Sequence, residues 1–448
     1  MTDIETEMAS WRKALQETAH LPEETIQELE DHLRDEIEAL TKAGLRPDEA
    51  LLIGFRRLGN AGELARSLAE VDADRLWKHL FDTGPSHGPV RTREVLWVIA
   101  AALLAALLGK IPLAFGVPMQ GAGLAVYARN LSLFVAPILM AGFAVKQRFG
   151  EGIRATLFGL TLAAALAANL YPFEPYGDTS FLFALHLPLL LWLGVGLAYC
   201  GDDWRTVRAP VDFIRFTGEF VLDSVLILCG VVVFVGLIAV TCEALRIPQD
   251  PWIQEYVAFS GLLATPVVAS YLVDRKRSLI ENLAPVLAKI FIPLFLVMIT
   301  GFIVAMAVQR TNIVEDREML IVIDVLLLLV VGMILYDLSA RSEAEPFSFS
   351  HGMNLALIAA AIVVDVVALY GILTRLSDYG FTPNRTAALG ENVLLLGNLI
   401  GLGTAYVRFA LGRGNLSLLW RWQVGYLWVY AAWFLFAVFG FPPLFGFQ

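Results

Sequence analysis

Ionisable side chains set inside long apolar runs are the residues of this sequence best placed to do chemistry. Glu219 and Asp223 stand one turn apart near the start of an apolar run at 217–242, and Lys289 lies at similar depth in the run 284–307. Asp365 falls near the middle of 353–374, while Asp324 and Glu391 belong to the outer third of 318–337 and 386–407. A charge at mid-helix in a membrane costs roughly 2.5–3.5 kcal/mol on insertion scales, so such groups face a partner or a water-filled cavity. Carboxylates at several depths are what a proton or cation relay requires. Lys289 could pair internally with Asp223 or Glu219. The structural alternative is glue between helices, with Asn169, Asn392 and Asn398 adding interhelical hydrogen bonds worth about 0.6 kcal/mol each.

A second polar group is the segment Arg375-Leu-Ser-Asp-Tyr-Gly-Phe-Thr-Pro-Asn-Arg385 between two apolar runs. Gly380 and Pro383 make a tight turn, and Arg375, Asp378, Tyr379, Thr382, Asn384 and Arg385 load it with hydrogen-bonding groups at a membrane surface. With Asp365 and Glu391 this turn could form a polar pocket open to the outside. Equally, it could be a capped interhelical turn in which Arg385 caps carbonyls or snorkels to headgroups. His186, two residues before Pro188 in another apolar run, reads as a hydrogen-bonded packing residue.

Catalytic signatures are missing. The chain has no HExxH, GxSxG, P-loop or GxGxxG after a strand, and no Cys/His cluster with metal spacing. No catalytic, cofactor-binding or metal residue is assigned, and an enzyme is not expected. Asp202-Asp203, followed by Trp204 and Arg205, could hold a divalent cation against a lipid phosphate, but a lone Asp-Asp pair is a weak signal. Trp420, Trp422, Tyr426, Trp428 and Tyr430 fit interface anchoring and packing. Cys200, Cys229 and Cys242 lie in apolar stretches and read as small apolar residues.

Composition shows what must position these groups. Of 448 residues 57% are hydrophobic and 17% charged, and the mean hydropathy is +0.64, which excludes a soluble enzyme. The first 93 residues hold 12 Lys/Arg and 19 Asp/Glu, the remaining 355 only 21 and 24. A small polar domain therefore precedes a large membrane domain. The division expected is a helical domain at 1–81, a Gly/Pro linker at 82–93 and a polytopic region at 94–448.

Within the first part, Ile4, Met8, Trp11 and Leu15, then Ile26, Leu29, Leu33, Ile37 and Leu40, recur at helical spacing. Pro22 and Pro47 suit first turns, and Gly44 and Gly59 suit helix ends. The net charge of −7 leaves no basic face for phosphates, so nucleic acid is not an expected partner. His32 lies one turn from Glu28 and Glu36, which fits a solvated face better than a metal site. The acidic start, Met1-Thr-Asp-Ile-Glu, lacks a signal-peptide pattern, which leads us to expect a cytoplasmic first domain.

A span takes about 20 apolar residues. By that measure there are eleven candidates, near 94–114, 126–145, 153–171, 180–200, 217–242, 255–273, 284–307, 318–337, 353–374, 386–407 and 417–440. The second is the weakest, because Arg129 and Asn130 stand near its start. With the N-terminus inside, thirteen Lys/Arg fall in cytoplasmic loops, clustered at Lys146/Arg148/Arg154, Arg205/Arg208/Arg215 and Arg275/Lys276/Arg277, against seven outside. This asymmetry favours an odd number of spans and an external C-terminus. The expected fold is all-α: a polytopic bundle of about eleven transmembrane helices behind a small cytoplasmic helical domain, with membrane lipids as partners.

Two resemblances add to this. Leu29-Glu-Asp-His-Leu-Arg-Asp-Glu-Ile-Glu-Ala-Leu40, Pro47-Asp-Glu-Ala50 and Arg57-Leu-Gly-Asn-Ala-Gly-Glu-Leu-Ala65 resemble the permease prefix, or HAAS-type, domain found before bacterial membrane regions. Covering about 8–71, the likeness implies a cytoplasmic signalling role and a protein partner for this acidic helical domain. Tyr379-Gly-Phe-Thr-Pro-Asn-Arg385, with Leu287-Ala-Lys-Ile-Phe-Ile-Pro-Leu-Phe295, resembles the bacterial domain-of-unknown-function 4153 membrane family over about 95–410. That resemblance implies a bacterial inner-membrane protein and points to Tyr379, Gly380, Thr382, Pro383, Asn384 and Arg385, but it brings no activity. A signalling or regulatory membrane protein is the first functional expectation. A secondary transporter or lipid-handling protein using the intramembrane carboxylates is the second.

Overall fold

A computed structural model of the chain describes residues 92–147, 149–248, 251–276, 283–309 and 317–448, with the isolated residues Arg34, Leu40 and Thr41. The helices expected over 1–81, linker residues 82–91 and the side chain of Lys289 lie outside the described residues. Thr92–Gln448 makes up one structural unit.

All the regular elements of this unit are helical, with no strand among the described residues. In chain order these are α1 (Thr92–Leu108), α2 (Ile111–Ala114), α3 (Gly123–Asn130), α4 (Ala136–Lys146), α5 (Glu151–Leu170), α6 (Asp178–Cys200) and α7 (Arg208–Ala244). After them come α8 (Phe259–Lys276, led in by a π-helical turn at Ile253–Ala258), α9 (Leu283–Gln309), α10 (Arg317–Ser339), α11 (Phe349–Tyr379), α12 (Pro383–Ala410), α13 (Leu416–Leu435) and α14 (Phe441–Leu444). Nine helices among the described residues are long and apolar enough to cross a membrane, and α3 with α4, bent by 51°, makes a tenth if the two are one span. The helix expected over 94–114 is described from Thr92 to Leu108, 17 residues, and ends where Gly109-Lys110 precede Pro112; with it, the nine helices and the bent pair match the eleven expected segments. Large apolar side chains such as Val225, Leu226, Val232 and Phe234 stand exposed along α7, which suits hydrocarbon as the solvent. The chain is a multi-pass helical membrane protein.

Polar contacts sort the helix ends onto two faces. On one face Lys146 pairs with Asp274, and the Gly150 N–H donates to Asp202 Oδ1 at 3.0 Å. On the other, Lys110 donates to the Glu255 carbonyl, and the Thr179 N–H donates to the Gln448 carbonyl at 2.7 Å. We call these the near and far faces; α1 begins on the near one, and residues 447–448 lie on the far one.

Two apolar cores fill the bundle. The first joins residues of α1 and α3–α8, around Phe183, Leu187 and Leu191 of α6. The second joins α9–α13, around Ile323, Leu327, Leu357, Leu399 and Tyr406. They meet along a seam where α6 packs on α12 and α13, and α7 on α10. Leu182, Ala387 and Phe441 form a small apolar cluster at its far end. Close packing of α12 on α13 comes from spacing: Gly390 and Gly401 are eleven residues apart on α12, and Trp433 and Trp422, eleven apart on α13, lie against them. A side chain at either glycine would meet an indole, so antiparallel register is set by two small residues facing two large ones.

Candidate intramembrane carboxylate site

Asp365 stands 16 residues into α11, about 24 Å from its near end at 1.5 Å per residue. It is 0% exposed, and neither carboxylate oxygen has a hydrogen-bond partner. Asp324 of α10 interacts electrostatically with it, and so does Tyr430 of α13. Asp324 accepts a hydrogen bond from Asn392 Nδ2 at 2.8 Å and interacts in turn with Glu391. Glu391 Oε1 lies 2.9 Å from His186 Nε2. A string of ionisable groups thus runs from the half-exposed Glu391, through Asp324, to the enclosed Asp365.

The groups around this string are built by local rules. Asn398, fully buried on α12, is a hydrogen-bond hub: its Nδ2 donates to Tyr430 Oη at 2.9 Å, and its Oδ1 accepts from Trp422 Nε1 at 2.9 Å and Gln423 Nε2 at 3.1 Å. Asn392 donates also to the Ala388 carbonyl four residues back, which leaves its buried Oδ1 without a partner. The last turn of α13 opens into a π-helix at Phe436–Gly440. Such bulges break the regular backbone ladder, often at functional sites.

Unlike the expected pocket, this site does not include the 375–385 turn. Arg385 donates through Nη1 to the carbonyls of Tyr379 and Gly380, both at 2.9 Å, and its guanidinium lies 5.4 Å from the centre of the Tyr379 ring. Gly380 ends α11 at φ +75°, where a side chain would be strained. Thr382 caps α12, its hydroxyl accepting from the Arg385 N–H, with Pro383 in the first turn. Asp378 and Tyr379 are exposed, and Thr382, Asn384 and Arg375 half-buried. Asp365 is 14 residues from Tyr379, about 21 Å along the helix. Of the two readings of the turn, the capped one is found, and Asp365 lies apart from it in an enclosed position.

Glu219, buried on α7, pairs with Arg215 of its own helix at 3.3 Å, an i,i+4 neighbour. Asp223 is half-buried one turn on, and the expected pairing of Lys289 with Asp223 or Glu219 lies outside the described residues. Asp202 accepts from the Gly150 N–H and so joins two loops, while the Asp203 backbone carbonyl accepts from Thr206 within its own loop. No group of three or more His, Cys, Asp or Glu among the described residues could hold a metal ion.

One cluster escaped the sequence reading altogether. On the near face Arg341 grips Asp337 with a fork, Nε to Oδ2 at 2.8 Å and Nη2 to Oδ1 at 3.1 Å, and reaches Glu345 at 2.8 Å. Asn354 donates to Asp337 at 2.6 Å and to Tyr406 Oη at 3.1 Å. Burial works against the Arg341 charge, but the hydrogen bonds to Asp337 and the charges of Asp337 and Glu345 outweigh it and raise its pKa above the ordinary arginine value. Spacing i, i+4, i+8 over Asp337, Arg341 and Glu345 is the signal that could have revealed it. With its charges paired, this cluster locks α10 to α11 and α12. No family model, curated protein or solved structure matches the chain.

Proposed function

We propose that this bundle is a proton-coupled carrier in a bacterial inner membrane, regulated through residues 1–81 on the cytoplasmic side, with Asp365 as its working acid. The observation that carries the reading is Asp365 itself: a carboxyl group at mid-helix, fully enclosed, with both oxygens unpartnered. Water-like solvation is missing at that depth, and a bare charge there is expensive. A proton on Asp365 removes the charge, and Asp324 and Glu391 supply stepping stones towards the far face. The excess of Lys/Arg in near-face loops supports a cytoplasmic near face. Membership of the family that the Tyr379–Arg385 turn resembles is part of the same proposal and adds no activity to it.

Liposomes carrying the full-length protein and an internal pH dye test the reading. Under an imposed proton gradient, the Asp365→Asn, Glu391→Gln double variant should lose the protein-dependent flux seen in wild type. Equal flux in both would sink the carrier reading. The regulatory half rests on the acidic prefix, whose surplus negative charge suits a basic partner patch. Mild crosslinking and mass spectrometry should then find a protein that copurifies with the full chain and is lost on deletion of residues 1–82; an unchanged set of copurifying proteins would count against regulation by the prefix.

A further inference from the structure

We infer that His186 and Glu391 form a second proton-binding site, holding one proton between two side chains at the seam of the two cores. For its use this site rests on the carrier reading above, but its chemistry stands on contacts alone. His186 of α6 is 4% exposed. Its Nδ1 lies 2.8 Å from the Leu182 carbonyl oxygen, and its Nε2 lies 2.9 Å from Glu391 Oε1 of α12. A carbonyl oxygen can only accept, so Nδ1 carries a hydrogen, and the ring's state is decided at Nε2. Either Nε2–H donates to a carboxylate, or a carboxylic O–H donates to the Nε2 lone pair. Both arrangements need one proton. Without it, an imidazole lone pair would face a carboxylate at hydrogen-bond distance, two acceptors with no donor.

The two partners differ in their access to the outside. Farther along α6, around Gly194 and Gly196, the neighbours are Met140 of α4, Leu157 and Leu160 of α5 and Phe213 of α7, all apolar. The Phe434 ring of α13 lies 6.1 Å from the imidazole. Among charged groups, Asp324 on α10 interacts with Glu391, and Arg129 on α3 reaches α6 at Ser180, six residues before His186, donating to Ser180 Oγ at 2.9 Å and to the Ala168 carbonyl. Tyr430 on α13 is bound to Asn398. The Glu391 side chain is 36% exposed against 5% for His186, so Glu391 exchanges the proton and His186 retains it. Asp324 connects the pair to Asp365.

Nitrogen-15 NMR of histidine-labelled full-length protein in nanodiscs, together with infrared difference spectra, tests the site, with His186→Gln used to assign the resonances. In wild type, His186 Nδ1 should stay protonated throughout, and one proton should leave the pair as pH rises, seen at Nε2 or as a lost carboxylic C=O band. Glu391→Gln should abolish this titration and leave a neutral Nδ1–H ring, because the amide donates to Nε2 and does not ionise. Glu391→Asp, which draws the carboxylate back by one methylene, should shift the midpoint and covers the case in which glutamine fails to fold. A neutral ring with its proton on Nε2, a titration unchanged by Glu391→Gln, or a midpoint unmoved by Glu391→Asp would each overturn the proposal. Asp365→Asn should leave this one-proton titration in place, so a flux insensitive to Asp365 would sink the carrier reading without touching this site.

Discussion

Exchanging Arg341 for methionine should lower the stability of the bundle by about 3–5 kcal/mol, the usual result of removing one partner from a buried ion pair. Asp337 is 2% exposed and receives both arms of the guanidinium fork. After the substitution only Asn354 would still donate to it, leaving a carboxylate charge enclosed with most of its partners gone. Replacing both members, Asp337→Leu with Arg341→Met, should recover most of the loss, since a well-packed apolar pair is often as stable as the ion pair it replaces. A double-mutant cycle on denaturant unfolding in detergent measures the coupling. A single-variant loss below about 1 kcal/mol would mean that the pair behaves like one at a solvated surface.

The opposite sign is expected at Asp365. Leucine there should stabilise the protein by about 1–3 kcal/mol, the penalty commonly attached to an unsatisfied buried polar group, while removing proton flux. Asn should gain less, because it still places a polar group among apolar neighbours. Gain of stability with loss of function is the pattern of a residue kept for what it does. Thermal unfolding of wild type, Asp365→Leu and Asp365→Asn in the same detergent decides the matter. If leucine destabilises, Asp365 has a structural partner and is no candidate for carrying a proton.

Much of the fold could be read along the chain because its signals are local. The apolar runs forecast the helices, and Gly380 with Pro383 marked the turn between α11 and α12. Asn392 and Asn398 were recognisable as interhelical glue, since a buried amide must find partners wherever the fold puts it. Long-range pairings were another matter. His186 and Glu391 are 205 residues apart, and no periodicity links α6 to α12, so the ring was legible as a hydrogen-bonded residue but its carboxylate was not. Charge patterning misled at Arg341: one of the thirteen Lys/Arg counted in cytoplasmic loops, it turns inward to Asp337.

Helix α6 is 56% buried along its span, against 6% for α7, and the helices that enclose it come from both ends of the sequence. At about 5–20 residues per second, a ribosome needs about 10–40 s to proceed from His186 to Glu391. During that interval the newly inserted first core carries an imidazole whose carboxylate has not been made, and a flank of α6 meant for α12 and α13 lies open to lipid. The first half of the protein must therefore wait in the bilayer as an unfinished intermediate, and substitutions along this flank of α6 should show themselves in the yield of inserted protein before they show in the finished fold.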